Sequence, residues 1–397
     1  MKQIPTSNYE VFRQHLMNPN KPFEVATQEG NMMKVQKNIV LSYVSDSTGC
    51  GHIRNVFPMT YLNSIFGKTG RFNIMLSPIM IFQHDVLLRT RSVFFQRTMA
   101  PGHVRAVQMY KENQPKYGYK MIYDIDDFIW NGPDEGESIP EYNFGGSTIT
   151  DEVRQSCIDI MNLMDTVCVS TEFLGEYIKK RGVTSNIKVV YNAVPQYFWG
   201  PHRRRPINAK ITKPRVIYTG SPTHYHQKKK LRGDWENAWC EWVIKSVRDN
   251  KIEFCCMGGL PWFFEPIKGR QNFKAINWVN SYQYHLPIKD FRPDIGIAPL
   301  VPNYFNYSKS DIKHIEYCSL GLLSIGTTFT NGKPSPYDNN IAKVTNECTV
   351  QDIQDIVDEY TEPQKFNETI KAQYAAMDRD GRWLESPKYV KMITSII

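Results

Sequence analysis

No apolar run in the 397-residue chain approaches the roughly 18 residues that a membrane span needs, and its first residues, MKQIPTSNYEVF, contain no apolar core of a signal peptide. We therefore expect a cytoplasmic protein without a membrane partner. The eight cysteines include no CxxC pair, so neither a zinc ribbon nor a secreted disulfide framework fits. We expect these cysteines to be reduced thiols in the core.

The familiar nucleotide-binding signatures are also missing. Gly49-Cys50-Gly51, which follows the apolar run NIVLSYV, lacks the full GxGxxG spacing and the GKS or GKT ending of a P-loop. The two glycines still allow backbone amides to approach a bound group closely, and His52 and Arg54 follow them. A tight turn is the competing interpretation of this loop.

The residues that are present indicate an ordered protein with a basic surface. A hydrophobic content of 41% and an aromatic content of 13% exclude a disordered chain. The net charge of +8 and the pI near 8.9 favour a polyanionic partner. Two basic runs, HRRRP (202–206) and HQKKKLR (226–232), fall in expected loops, where solvated charges are an equally good explanation.

Apolar strands alternate with amphipathic helices, as in RVIYTG followed by WENAWCEWVIKSVRD, and this alternation predicts a parallel sheet with crossover helices. The segment SVFFQRTMAPGHVRAVQMYKENQ is recognised only as basic and aromatic. The proline- and arginine-rich stretch QYFWGPHRRRPINAKITKP interrupts the alternation, which then restarts. We predict an α/β protein with two doubly wound domains, residues 1–200 and 201–350, and a helical tail, residues 351–397, that packs back across them.

Three carboxylates, Asp124, Asp126 and Asp127, lie in the apolar run MIYDIDDFIW. Ligands of such sheets bind beyond the carboxyl ends of the strands, so these side chains are expected to reach a crevice. Asp124 and Asp126 have the spacing of a metal-binding DxD pair, but the same spacing suits an acid/base or orienting role. A strand end that caps the next helix is the third alternative.

Two later segments carry groups suited to a nucleotide. YTGSPTH (218–224) is a second glycine loop at a strand end, with Ser221 and His224 able to hydrogen-bond. In FNYSKSDIKHIEYCSLG, Lys309 and Ser310 lie at the N-terminus of a predicted helix, residues 310–320, that carries Glu316. Lys309 and the helix N-terminus supply positive potential for a diphosphate, while a carboxylate at Glu316 can accept both ribose hydroxyls.

The segments YDIDDFIW, VSTEFLGEYI…VVYNAVP, YTGSPTH and APL…FNYSKSDIKHIEY…LG resemble the ordered motifs of retaining, family-four-like GT-B glycosyltransferases and their phage relatives. The resemblance covers roughly residues 39–328. It implies two Rossmann-like domains facing a cleft, with a nucleotide sugar, expected to be a UDP-sugar, on the second domain and the acceptor on the first. It implies no obligatory metal. Ser308 stands where the family's first glutamate would be, eight residues before Glu316.

With this resemblance, we predict one group of residues for each role. Catalytic roles are predicted for Asp126, Asp127, Lys309 and His52. Donor binding is predicted for Gly49, Gly51, Gly220, Ser221, His224, Lys309, Ser310 and Glu316. Acceptor or DNA binding is predicted for Arg97, Arg203, Arg204, Arg205, Lys228, Lys229 and Lys230.

The basic loops favour double-stranded DNA as the acceptor, and the sequence is similar in kind to tailed-phage enzymes that glycosylate 5-hydroxymethylcytosine. Such a protein would work in the cytoplasm of the host cell. Tryptophans 235, 239 and 242 could contact DNA, but they share one helical face and are better explained as core. The alternatives are transfer to a surface glycan or another non-DNA acceptor, and an inert nucleotide- or DNA-binding protein of the same fold. The sequence predicts no oligomeric state.

Overall fold

The computed structural model describes residues 37–44, 49–130, 140, 149–199 and 206–397. These residues include two six-stranded parallel sheets. The first sheet has the spatial order β2-β1-β3-β4-β5-β6, and its strands are β1 (Ile39–Tyr43), β2 (Asn73–Ser77), β3 (Thr90–Gln96), β4 (Lys120–Ile125), β5 (Thr166–Val169) and β6 (Asn186–Val189). The second has the order β12-β11-β10-β7-β8-β9, and its strands are β7 (Arg215–Thr219), β8 (Glu253–Met257), β9 (Phe273–Ile276), β10 (Ile295–Ala298), β11 (Leu323–Thr328) and β12 (Ala342–Thr345).

Helices connect the strands of both sheets, and three more follow the last strand. In the first half they are α1 (Phe57–Phe66), α2 (His84–Arg89), α3 (Pro101–Tyr117), α4 (Asp151–Asn162), α5 (Glu172–Lys180) and α6 (Gln196–Trp199). In the second half they are α7 (Asn237–Arg248), α8 (His285–Phe291), α9 (Tyr304–Tyr307), α10 (Ile312–Ser319), α11 (Val350–Tyr360), α12 (Pro363–Asp380) and α13 (Pro387–Thr394). The predicted α/β class with two doubly wound domains is confirmed.

The strands are apolar because helices cover both faces of each sheet. All five residues of β1 are buried, as are five of the six residues of β4, which is the pattern of a parallel sheet rather than of a half-exposed one. The segment recognised only as basic and aromatic contains most of the interior strand β3 and most of the helix α3. Arg91 within the strand and Arg97 just after it obscured the apolar centre of the strand.

The glycine loop predicted at residues 49–51 is wrong. Gly49–Gly51 form a helical turn that continues through a π-helical turn, His52–Val56, directly into α1. Gly51 has helical angles, and a Cβ added to Gly49 would meet no atom within 4 Å. Neither observation indicates a position that requires glycine.

The C-terminal helices contact both domains. Helix α11 packs on the second sheet through Ile353 and Val357, whereas α13 packs on the first through Tyr389 and Ile393. The last carbonyl, that of Ile397, accepts a hydrogen bond from Arg91 Nε at 2.9 Å. No helix among the described residues is both long and apolar enough to cross a membrane.

Candidate active site

A buried ion pair lies beneath the cleft in the first domain. Arg54 donates to both oxygens of Asp124, from Nε at 3.0 Å and from Nη2 at 2.5 Å. Its remaining nitrogen, Nη1, donates to the Val190 carbonyl at 2.5 Å and to Asn192 Oδ1 at 2.9 Å. Burial by itself would lower the pKa of Arg54, but the Asp124 charge raises it above its ordinary value. Asp124 is therefore fully engaged by a guanidinium, which disfavours the DxD metal pair.

The next two carboxylates are half-buried at the edge of the cleft. Asp127 forms an ion pair with Arg97, whose φ of 44° lies in the left-handed region that few residues other than glycine adopt. Asp126 has one buried oxygen, Oδ1, with no hydrogen-bond partner among the described residues. Burial and the Asp126 charge raise the pKa of Asp127 to about 6, although Arg97 and Lys309 oppose the shift. Burial likewise raises the pKa of Asp126.

Among the described residues, one group of side chains is close enough to share a metal ion. Ligand atoms of Cys50, Asp126 and Asp127 lie within 4.8 Å of one another. Both guanidiniums of the region, Arg54 and Arg97, act on Asp126 and oppose the binding of a cation there. The absence of an obligatory metal stays a prediction.

In the second domain, four side chains meet around a fully buried aspartate. Asp234 Oδ2 accepts from His224 Nδ1 at 2.6 Å and from Lys309 Nζ at 2.8 Å, while Oδ1 accepts from Asn306 Nδ2 at 2.8 Å. Lys313 Nζ lies 3.1 Å from the other ring nitrogen, His224 Nε2. Burial would raise the pKa of Asp234, but Lys309 and His224 hold it well below its usual range. We call Asp234, His224, Lys309 and Lys313 the basic cluster.

The local backbone explains how Asp234 reaches this position. His226 pairs with Leu231, so the residues between them form a hairpin that returns the chain to His224. The turn out of the hairpin needs glycine: Gly233 has a φ of 65°, and a Cβ there would lie 2.1 Å from the His224 carbonyl oxygen. The Asp234 amide then donates to that carbonyl at 2.9 Å. Backbone contacts thus fix the His224–Asp234 pair.

The pKa shifts of His224 and Lys313 follow first from burial and then from crowding of like charges. Burial lowers the pKa of His224 to about 3, and the charges of Lys313 and Lys309 add to the shift. Burial also lowers the pKa of Lys313 to about 8, and Lys309 adds to this shift. At neutral pH the cluster therefore combines a neutral imidazole with ammonium groups. A bound polyanion would relieve the repulsion among its cations.

One turn further along α10, Glu316 faces an aromatic hydroxyl. The Tyr284 hydroxyl donates to Glu316 Oε2 at 2.8 Å and lies 2.9 Å from Thr219 Oγ1 at the end of β7. Burial raises the pKa of Glu316 to about 7, while Tyr284 and Lys313 oppose the shift. The carboxylate and the two lysines thus lie along one segment at the carboxyl end of the central strands.

The two domains meet at these residues. Thr171 Oγ1 donates to the Ser308 carbonyl at 3.0 Å, and Asn192 Nδ2 donates to Ser310 Oγ at 2.6 Å. The positive charge of Lys309 acts across the cleft on Asp127, where it opposes the rise in the pKa of that carboxylate. The first domain therefore presents carboxylates to the basic cluster of the second.

Several predicted residues have other surroundings than expected. His52 is buried among rings, 5.3 Å from Phe57 and 5.1 Å from Tyr282 between ring centroids. Arg97 is half-buried in its ion pair with Asp127 rather than displayed on an outer surface. Ser308 is buried, and its hydroxyl donates to the Tyr304 carbonyl at 2.9 Å. None of these contacts indicates a ligand by itself.

The other predicted residues lie near the cleft or on a basic surface. The Ser221 hydroxyl lies 2.6 Å from Thr223 Oγ1, and the Gly220 carbonyl packs so tightly on Gly258 that a Cβ there would lie 2.2 Å from it. The hairpin displays an exposed group that we call the lysine hairpin: Lys228, Lys229 and Lys230. Arg203, Arg204 and Arg205 lie outside the described residues. Tryptophans 235, 239 and 242 are buried in the second core.

Four residues were not predicted as functional although they shape the site: Asp234, Lys313, Arg54 and Tyr284. Lys313 was recognisable, since it lies four residues after Lys309 on the same segment. The only signal for Asp234 was a Gly-Asp dipeptide closing a basic run. Nothing in the sequence near Tyr284 indicated its contact with Glu316.

No protein-family model matches the chain, and no curated protein matches its sequence. Solved structures do match in fold. Anabaena HepE in complex with UDP and glucose matches with a TM-score of 0.55 and 10% identity, over 90% of this chain and 98% of that chain. HepE with UDP-glucose gives a TM-score of 0.52 and 10% identity, over 90% and 99%. A variant of S. aureus TarM, in complex with fondaparinux, α-GlcNAc-glycerol and UDP, gives 0.50 and 13%, over 78% of this chain and 55% of that chain. The predicted GT-B architecture, two Rossmann-like domains facing a cleft, is confirmed.

Proposed function

We propose that the protein is a glycosyltransferase that moves a sugar from a UDP-sugar to an acceptor hydroxyl. The observation that carries this proposal is the order of charges along one segment, with Lys309 and Lys313 followed by Glu316, opposite Asp126 and Asp127. Paired ammonium groups suit a diphosphate, and a carboxylate one turn away suits the two hydroxyls of a ribose. The complexes of HepE with UDP and UDP-glucose support this choice of donor.

In the proposed reaction, the bond between the anomeric carbon and the diphosphate oxygen breaks, and a bond from that carbon to the acceptor oxygen forms. The leaving diphosphate gains negative charge, which Lys309 and Lys313 stabilise from fixed positions. The acceptor proton passes either to the departing phosphate on the same face or to a carboxylate of the first domain. Transfer to the phosphate corresponds to retention at the anomeric carbon.

Asp126 and Asp127 are the acceptor-side groups of this proposal. The free oxygen of Asp126 can accept a hydrogen bond from the acceptor hydroxyl, and Arg97 holds Asp127 in place. Arg54 fixes Asp124, so the strand end cannot turn all three carboxylates toward a ligand. A metal is not required, because the lysines already neutralise the diphosphate; activity should therefore survive EDTA. Complete loss that added Mg²⁺ or Mn²⁺ restores would contradict this.

For the acceptor, we propose a hydroxymethylated pyrimidine, 5-hydroxymethylcytosine, in double-stranded DNA. The lysine hairpin supports this choice, because its three exposed ammonium groups lie on the hairpin that begins two residues after His224. The net charge of +8 also favours a polyanionic acceptor. A glycan acceptor is the second candidate, favoured by the TarM complex with α-GlcNAc-glycerol.

The deciding experiment is a donor panel of UDP-, GDP-, ADP- and dTDP-sugars, assayed with duplexes that contain cytosine or 5-hydroxymethylcytosine and with glycan acceptors. We expect transfer from a UDP-sugar to the modified duplex only. Transfer to a glycan alone would overturn the DNA acceptor and leave the glycosyltransferase standing. Donor binding accompanied by neither sugar transfer nor donor hydrolysis would indicate an inert nucleotide-binding protein of the same fold.

A further inference from the structure

The basic cluster contains a histidine whose hydrogen bonds fix its tautomer. His224 Nδ1 lies 2.6 Å from Asp234 Oδ2, and Asp234 is fully buried and ionised, so Nδ1 must carry a proton and donate it. Nε2 lies 3.1 Å from Lys313 Nζ, an obligatory donor, so Nε2 accepts. The neutral Nδ1–H tautomer therefore satisfies both neighbours.

This arrangement changes when an anion binds to the lysines. Phosphate oxygens only accept hydrogen bonds, and they attract Lys313 Nζ away from the ring. The lone pair of His224 Nε2 would then face phosphate oxygens, which places two acceptors against each other. A proton on Nε2 removes this conflict and adds a donor to the diphosphate.

We infer that His224 takes up a proton from solvent when the diphosphate of the donor binds, and that it then donates from Nε2 to the diphosphate while Nδ1–H stays on Asp234. This inference rests on the proposed function, since it requires a nucleotide diphosphate at Lys309 and Lys313. Asp234 acts as a positioning residue: it orients the ring and compensates the charge that the imidazolium gains.

The groups that face His224 decide the balance of charge. They come from β7, from the turn that follows the hairpin, from the segment just before α10 and from α10 itself: Tyr218, Asp234, Lys309 and Lys313. Without a ligand, the two lysines outweigh the single carboxylate, and the pKa of His224 is low because of burial and these cations. A diphosphate reverses the sign of the local charge, so protonation becomes favourable.

The consequence for the reaction concerns the leaving group. As the bond to the anomeric carbon breaks, negative charge accumulates on the diphosphate oxygen, and a hydrogen bond from an imidazolium strengthens with that charge. His224 would thus contribute more to turnover than to donor binding. A histidine that only fills space beside Lys313 would not contribute more to turnover than to donor binding.

The test observes the imidazole directly. Full-length protein labelled with ¹⁵N-histidine is examined by NMR at pH 7 with and without UDP-glucose, whose diphosphate diester does not titrate near that pH. The His224 signal is identified by its loss in His224→Gln. We expect the neutral Nδ1–H tautomer without ligand and about one added proton, on Nε2, in the complex. His84, which lies 2.7 Å from the Tyr117 hydroxyl outside the cluster, should not change.

Asp234→Asn tests the positioning residue. Because the amide cannot compensate the imidazolium charge, we expect the ligand-bound His224 to titrate at lower pH in this variant, with kcat reduced more than KM is raised. If Asp234→Asn does not fold, the wild-type spectra still decide the inference. Binding of UDP-glucose with His224 neutral in the complex would overturn the inference and leave the proposed function intact. No binding of UDP-, GDP-, ADP- or dTDP-glucose would overturn both.

Discussion

Two buried aspartates, one in each domain, hold cations at the cleft in opposite ways. Asp124 receives both hydrogen bonds from one guanidinium, and both side chains of the Arg54–Asp124 pair are only 2% exposed. Besides a hydrogen bond from Asn306, Asp234 accepts hydrogen bonds from His224 and Lys309, whose side chains are 15% and 20% exposed. The first pair is saturated within the protein. The second holds an ammonium group, that of Lys309, which a ligand can reach and bind, beside a neutral imidazole.

The two domains carry opposite excesses of charge at the cleft. Around Asp124 the carboxylates outnumber the guanidiniums, because Asp126 and Asp127 share Arg97 between them. Around Asp234 the ammonium groups outnumber the carboxylate, because Lys309 and Lys313 both lie beside it. An excess of acid suits an acceptor hydroxyl, and an excess of base suits a diphosphate. The GT-B cleft brings the two together.

The largest expected effect is on stability and comes from the saturated pair. Arg54→Met leaves Asp124 buried without its guanidinium and should lower the free energy of unfolding by about 3 to 5 kcal/mol. Denaturant unfolding followed by circular dichroism measures it. The matched control is Arg97→Met, which removes a half-buried guanidinium and should cost much less. An equal decrease in the free energy of unfolding in both variants would contradict the distinction between the fully buried Arg54–Asp124 pair and a half-buried guanidinium.

The second prediction concerns the acceptor carboxylates. Asp127→Asn should leave donor binding unchanged and reduce sugar transfer on the order of 10³-fold, because the amide can neither take a proton nor hold Arg97 by charge. Donor affinity is measured by calorimetry and transfer by product formation. Asp85, in the first turn of α2, offers the control Asp85→Asn, which should leave transfer unchanged. A parallel loss of donor binding in Asp127→Asn would place this carboxylate on the donor side instead.

The third prediction concerns the reachable cations. Lys309→Ala should reduce kcat by roughly 10²- to 10³-fold with a smaller change in KM, since charge on the diphosphate develops as the bond breaks. Lys245→Ala, in the last turn of α7, is the control and should leave kcat and KM unchanged. Steady-state kinetics with the UDP-sugar separates the two parameters. Weakened binding with a normal kcat would contradict a role in the transition state.

The fourth prediction concerns the ribose contact. Glu316→Ala should lower kcat/KM through a raised KM for the donor, which corresponds to a loss of about 1 to 3 kcal/mol of stabilisation. The raised pKa of Glu316, about 7, means that the carboxylate is ionised above that pH and protonated below it. Because the ionised form accepts from both ribose hydroxyls, this contribution to donor affinity is lost as the pH falls through 7. Glu316→Gln should remove this part of the pH profile; an unchanged profile would remove Glu316 from the site.

The smallest expected effect is at the lysine hairpin. Changing Lys228, Lys229 and Lys230 together to glutamate should weaken binding to modified and unmodified duplexes equally, because phosphate contacts carry no sequence information. The slope of log affinity against log salt should fall by about 0.9 for each phosphate that the variant no longer neutralises. Donor hydrolysis should remain normal, which separates this surface from the basic cluster. Duplex affinity independent of both salt and these lysines would argue for a different acceptor.

Much of the fold could be predicted because it depends on local pattern. The apolar runs NIVLSYV and RVIYTG correspond to β1 and β7, and WENAWCEWVIKSVRD contains α7. Gly321 follows α10 with a φ of 74°, the left-handed conformation that glycine favours after a helix C-terminus. Strand β3 was missed because its identity depends on burial between β1 and β4 rather than on its own composition. The glycines at 49 and 51 were misread because glycine is compatible with a helical turn as well as a loop.

By itself, the sequence determined most of the order of the elements and the placing of Lys313 beside Glu316, because residues a turn apart on one helix must lie near one another. Lys309 lies close to them because it precedes that helix by only three residues. Only the tertiary structure decided what each charge does. Asp124 is 70 residues from Arg54, and Asp234 is 75 residues from Lys309, so no local pattern relates them. Whether a buried aspartate is saturated or reachable depends on which cation the folded chain brings to it and on how much water remains, and both follow from packing.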